Sequence, residues 1–162
     1  MFERELTLFK FTTNHLRIVA ADLSDAELAV APFPGANPGV WILGHLAVAT
    51  DFAGRLLDLP PACSPQWHAA FGPGTKPAEL KPPLPAKDEL LAAINSGYRH
   101  VSEAARQATP EAMNQPHTIE LLKHTNLATV GDVLAHLMCT HQAFHVAQLS
   151  ACRRKAGKGP II

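Results

Sequence analysis

Eight of the chain's fourteen prolines fall between Pro60 and Pro85. No long helix or interior strand can run through such a stretch, because each proline lacks a backbone donor and crowds the preceding turn. There is room for one short helix near Pro65 to Phe71. The segment is also far longer than the roughly 2 to 8 residues that ordinarily join antiparallel helices in a bundle. At about 3 Å per residue it can cross a whole helical bundle, which lets the helices on its two sides run parallel.

On both sides the apolar residues recur every three or four positions, and no strand-like alternation, glycine-rich phosphate loop or internal repeat appears. Phe2 to Leu23 reads as a first helix with Leu6, Phe9, Thr13, Leu16 and Ala20 along its inner face. After the turn residues of APFPGANPG, Asn37 reads as an N-cap and Pro38 as the first position of a second helix reaching Leu59, with Trp41, His45, Val48 and Phe52 on one stripe. Lys87 to Ala108 is a third helix facing inward with Leu90, Leu91, Ile94, Tyr98, Val101 and Ala105, stopped by Pro110. Glu111 to Ala128 returns irregularly, with one helical turn near Ile119 to Lys123.

The fourth helix, Thr129 to Lys155, carries its own punctuation: Thr129 as N-cap with Asp132 at N3, and Arg153, Arg154 and Lys155 in the last turn, expected to be exposed, before Gly157. Its stripe runs Leu134, Met138, His141, His145, Gln148, Cys152. The fold class expected is therefore all-α, a four-helix bundle in the order up-down-down-up with a long crossover between helices 2 and 3, one domain over residues 1–162.

Composition excludes several functions. The 14 basic residues cancel the 14 acidic ones, which removes the electrostatic case for nucleic acid. No apolar run approaches the ~20 residues of a membrane span, and MFERELTLFK has no signal-peptide core, so a cytoplasmic protein is expected. Three cysteines, Cys63, Cys139 and Cys152, without CxxC spacing argue against a disulfide framework and against a cysteine zinc site.

Histidine carries the chemistry. On a helix, residues four apart lie about 40° apart around the axis, so His141 and His145 can share an ion. With nine histidines such a pair arises readily by chance, and Gln142 stands where an HExxH protease would place its carboxylate. Two things raise the pair above chance: its place on an apolar stripe, where imidazole nitrogens need partners, and a third inward histidine, His45, on the second helix. His136, about 140° from His141 on an α-helix, should not join the same ion and is either a supporting residue or a surface one. His15 and His100 lie off the inner faces. No Glu, Asp or Lys stands beside the motifs as a general base, and Asp51, six residues after His45, falls on another side of its helix. The residues leave three readings open: a metal enzyme, a metal-binding or interaction domain without turnover, and a metal-free bundle with three hydrogen-bonded core histidines.

The histidine in WILGHLA on the second helix and the HQAFHVAQL segment on the fourth resemble the DinB-like superfamily, including its YfiT-like putative metal-dependent hydrolases. The resemblance implies a four-helix bundle in which His45, His141 and His145 hold one divalent ion, nickel or zinc above others. It further implies a thiol S-transferase or hydrolase acting on a small molecule, with a low-molecular-weight thiol as a possible co-substrate, and a homodimer. Apolar residues beyond a single stripe, such as Phe2, Phe11 and Ile18, also favour the dimer.

Overall fold

The structure is a computed structural model; it describes residues 1–159 and 161. Among these there is no strand, only one isolated bridge between Pro116 and Thr129. The long elements are α1 (Glu3–Ala20), α3 (Gly39–Arg55) and α5 (Lys87–Gln107), together with a composite fourth segment. That segment is α7 (Val130–His136), a π turn (Leu137–His141) and α8 (Gln142–Lys155). Short helices fill the connections: α2 (Asp25–Leu28), α4 (Pro65–Phe71) inside the proline-rich crossover, and α6 (Pro110–Met113). Contacts close a cycle, with α3 along α5, α5 along α1, α1 along α8 and α8 back against α3.

Two apolar clusters fill the interior. One gathers the end of α1 (Leu16, Val19), the first half of α3 (Ile42, Leu43), the start of α5 (Leu90, Ile94) and Leu149 and Cys152 of α8. The other gathers the start of α1 (Phe2, Leu6, Phe9) with Ala53 of α3, Val101 and Ala105 of α5, and Leu134 and Met138. The third element differs from its expected single stripe, since every residue from Gly39 to Asp51 is buried. The uncharged run GVWILGHLAVAT allows this, because a helix that is apolar all round gains by contact on every side. Gly97 of α5 fits directly over Thr50, where a β-carbon would fall 1.9 Å from Oγ1, so the two helices meet at close range.

Three local expectations need correction. The second long helix is capped by Pro38 rather than Asn37 and starts at Gly39, which is seated so tightly on Leu28 that a β-carbon would fall 2.4 Å from Cδ2. Packing against α2 sets the start one residue later than the local signal. Arg153 is not a free surface cation: its guanidinium makes a fork to Asp22, Nε to Oδ1 at 3.0 Å and Nη2 to Oδ2 at 2.8 Å, tying the end of α8 to the end of α1. Phe2 is buried, whereas Phe11 and Ile18 are exposed.

Candidate metal centre

His45 reaches the interior from the middle of α3, and His141 and His145 from the π turn and the first turn of α8. The Nε2 atoms of His45 and His141 face each other at 3.2 Å, and one ligand atom from each of the three rings lies within 4.8 Å of the others. The outer nitrogens explain which atoms point inward. His45 donates from Nδ1 to the carbonyl of Phe71 at 2.7 Å, and His145 donates from Nδ1 to Oε1 of Gln148 at 2.9 Å. Both bonds fix a tautomer whose Nε2 carries a lone pair. His141 differs, because its Nδ1 is buried without a hydrogen-bond partner.

Burial holds all three rings neutral. It pushes the His141 imidazole down to about 3, with the neighbouring rings of His145, His45 and His136 adding to the effect. His145 is pushed down to about 4 by burial and then by His45, against the opposing bond to Gln148. His45 is lowered by burial, with the Phe71 carbonyl pulling the other way. In the metal-free protein the His141 Nε2–H can donate to the His45 Nε2 lone pair across the 3.2 Å contact, and a cation that displaces this proton can be held by all three rings. Zinc–nitrogen bonds of about 2.0–2.1 Å set coordinated nitrogens roughly 3.0–3.5 Å apart, so one pair already has the required separation and the third ring needs a small closing movement. The donor set fits a divalent transition ion.

The remaining walls come from residues whose role the sequence pattern did not show. Trp41, one turn before His45, stacks on its ring with centroids 4.7 Å apart and planes 8° apart. The indole N–H is itself held by Oγ1 of Thr75, 3.0 Å away in the turn after α4. Gln142 does not face the centre as the glutamate of HExxH would; it is buried and donates to Oγ1 of Thr13 on α1 at 2.7 Å. The π turn alters the place of His136. Its i→i+5 bonding makes residues five apart near neighbours on the helix surface, and the His136 ring comes edge-on to His141 with centroids 5.7 Å apart. It remains outside the three-histidine cluster, its Nδ1 bonded to Oγ1 of Thr140 at 2.7 Å. His100 is exposed, and His15 stacks on exposed Phe11 at the surface.

The centre thus takes one histidine from the second long helix and two from the last segment. The profile of the DinB superfamily matches residues 8–149. The chain belongs to the DinB superfamily. It matches no curated protein. The matched range includes all three histidines of this DinB-superfamily chain and the whole crossover that supports them.

Proposed function

We propose that this DinB-superfamily protein binds one divalent transition ion, nickel or zinc, through His45, His141 and His145, and uses it as a thiol S-transferase or hydrolase acting on a small molecule, with a low-molecular-weight thiol as one candidate substrate. The observation that carries the reading is the convergence of three neutral imidazoles, His45 and His145 buried and His141 partly buried, whose outer nitrogens are tied back on two of the three rings. Three neutral nitrogen donors leave a bound ion its full charge and an open position, the pattern of catalytic rather than closed sites. An ion held there supplies Lewis acidity that lowers the pKa of a water or a thiol. The chain's own part is to present three lone pairs, to keep His45 flat against Trp41, and to exclude bulk water from the buried side. Metal analysis of untagged protein, followed by nickel and zinc titration of the metal-free form, tests the proposal. Absence of bound metal together with no binding at micromolar concentration would refute it.

A second reading, metal binding without turnover, is favoured by one observation: among the described residues no carboxylate joins the cluster, and Asp51, the nearest along the chain to His45, spends both oxygens on other donors. Turnover of thiol and electrophile by the loaded protein would decide against it.

We further read the architecture as one domain, a four-helix bundle running up-down-down-up. The shared clusters support this: the end of α1 meets the starts of α3 and α5 and the end of α8, while the start of α1 meets the ends of α3 and α5 and the beginning of the last segment. A homodimer through the outer side of α1 is the proposed assembly, supported by exposed Leu8, Phe11 and Ile18, which follow one another at spacings of three and seven. Three unpaired cysteines are in keeping with a cytoplasmic location. No helix among the described residues is long and apolar enough to cross a membrane, and the balanced charge gives no footprint for nucleic acid.

A further inference from the structure

The crossover contains a second polar cluster, away from the three histidines. Asp51 of α3 is buried at 5% exposure, and a carboxylate so placed must be compensated by donors. All three of its donors come from the crossover. Oδ1 accepts from the backbone N–H of Ala62 at 2.9 Å, and Oδ2 accepts from the N–H of Cys63 at 2.8 Å and from Nε2 of His68 at 2.9 Å. His68 lies on α4, one turn before Phe71, whose carbonyl takes the Nδ1 proton of His45. The ring of Phe71 is pressed onto the backbone of α3 at Gly44, where a β-carbon would fall 2.5 Å from it. Helix α4 thus touches α3 at two points. At one, beside His45, the Phe71 ring packs on Gly44 and, among the described residues, the only polar link is the bond of the Phe71 carbonyl to His45 itself. At the other the contact is polar, two turns further along α3.

An apolar contact with a single hydrogen bond lets a short helix pivot, since dispersion and burial have little directionality. Charge-assisted hydrogen bonds fix direction and register. We propose that Asp51 and His68 are positioning residues for the metal centre. They lock α4 on α3 so that the Phe71 carbonyl keeps His45 protonated on Nδ1, with Nε2 turned toward His141. The proposal rests on the metal-site reading for its consequence, though the seating of His45 can be observed in the metal-free protein. Cys63 supplies a reporter for the same lock. Burial and the adjacent Asp51 carboxylate push its thiol up to about 12, so it is unreactive while the crossover is seated.

The test compares His68→Ala with His68→Gln, whose amide can replace the imidazole N–H, and with Asp51→Asn, which turns a donor toward donors. In metal-free protein labelled at histidine, the His45 Nδ1–H resonance should be present and slow to exchange in the wild type and in His68→Gln. It should be lost in His68→Ala and Asp51→Asn, where Cys63 becomes modifiable by a thiol reagent. Nickel or zinc affinity should fall at least about tenfold in His68→Ala, in the range typical of groups behind a ligand, and return in His68→Gln. Thr129→Ala, which weakens the fold elsewhere, should move neither the resonance nor the affinity. An unchanged His45 resonance and wild-type affinity in His68→Ala would overturn the proposal, showing that the lock serves stability alone. If the wild type itself binds no metal, the metal-site reading fails, and the His45 resonance still decides whether Asp51 and His68 seat the ring.

Discussion

The two sides of the centre are built differently. On the crossover side, His45 is stacked by Trp41, bonded by Phe71 and backed by a short helix that is itself bonded to α3 through Asp51 and His68. On the other side, His141 ends a π turn, and its outer nitrogen has no partner, although His145 one turn later is held by Gln148. One side is fixed by hydrogen bonds to a ligand from behind; the other relies on a wide turn of backbone, a feature found often at functional sites. The contrast suggests a division of labour in which His45 sets the position of the ion and His141 adjusts to it.

The largest effect is expected from the ligands themselves. Replacing His45, His141 or His145 by Ala should remove most bound metal, because two imidazoles hold a divalent ion weakly against water and buffer. A chelator should then lower the melting temperature of the wild type and leave these variants nearly unmoved. His136→Ala, although its ring touches His141, should keep both the metal and the chelator response. Full occupancy in His141→Ala would mean that the π-turn side contributes no ligand.

Acid should act next, and more strongly on the adjustable side. Folded-state values of about 3 for His141 and about 4 for His145 lie below the value of about 6.5 that an unfolded chain presents. The unfolded state therefore binds more protons as pH falls below about 6.5, and folding stability must decline from there toward about 4 and then 3. Above about 6.5 these groups add no pH dependence. Denaturant midpoints of metal-free protein across pH 4 to 8 check the sign, and imidazole resonances check the order, with His141 titrating last on acidification. A midpoint that rose on acidification would show that these rings are not held neutral.

Much of this was legible in the chain and some of it could not be. Apolar spacing at three and four gave the long helices, and the inward histidines of WILGHLA and HQAFHVAQL gave the cluster, because both depend on short-range periodicity. The π turn was not legible. It inserts one residue's worth of register between Leu137 and His141, and what fixes it is tertiary: Gln142 bonded to Thr13, and the Cys139 thiol against the carbonyl of Glu5. A strict α-helical stripe consequently omitted Gln142, Val146 and Leu149, all buried after the turn, and placed His136 too far from His141. The Phe71 carbonyl escaped for another reason. A backbone acceptor supplied 26 residues along the chain from His45 leaves no mark on side-chain pattern. Arg153 likewise carried the local sign of a solvated helix end, and only the fold brings Asp22 to it.

A steric wedge on the crossover side should come next in size. In Gly44→Ala the new methyl group would fall 2.5 Å from the buried ring of Phe71, whose neighbours leave it nowhere to go. Overpacking of this kind costs about 1–3 kcal/mol. It should also lift Phe71 away from His45, so metal affinity should fall along with the melting temperature. Gly44→Ala with unaltered affinity would show that the seating of α4 has no bearing on the centre.

The smallest effect expected is also the one that best isolates the adjustable side. Thr129 caps α7, accepting the N–H of Asp132 while the Asp132 carboxylate accepts the N–H of Thr129. Thr129→Ala removes half of that reciprocal pair and should cost about 1 kcal/mol, the usual worth of an N-cap. Helix α7 is only seven residues long, so fraying from its start could run as far as His136. It should stop there. Met138 inside the π turn is fully buried, and beyond it Val146 and Leu149 anchor α8 to the core independently of the cap. His141 and His145 lie between Met138 and these anchors, so Thr129→Ala should lower the melting temperature and leave nickel or zinc affinity within about twofold of wild type. Gly44→Ala, at a comparable or larger cost in stability, should weaken binding. A Thr129→Ala protein that lost its metal would reverse the division of labour, because the π turn would then depend on α7 for its register and would be the part of the centre that needs outside support.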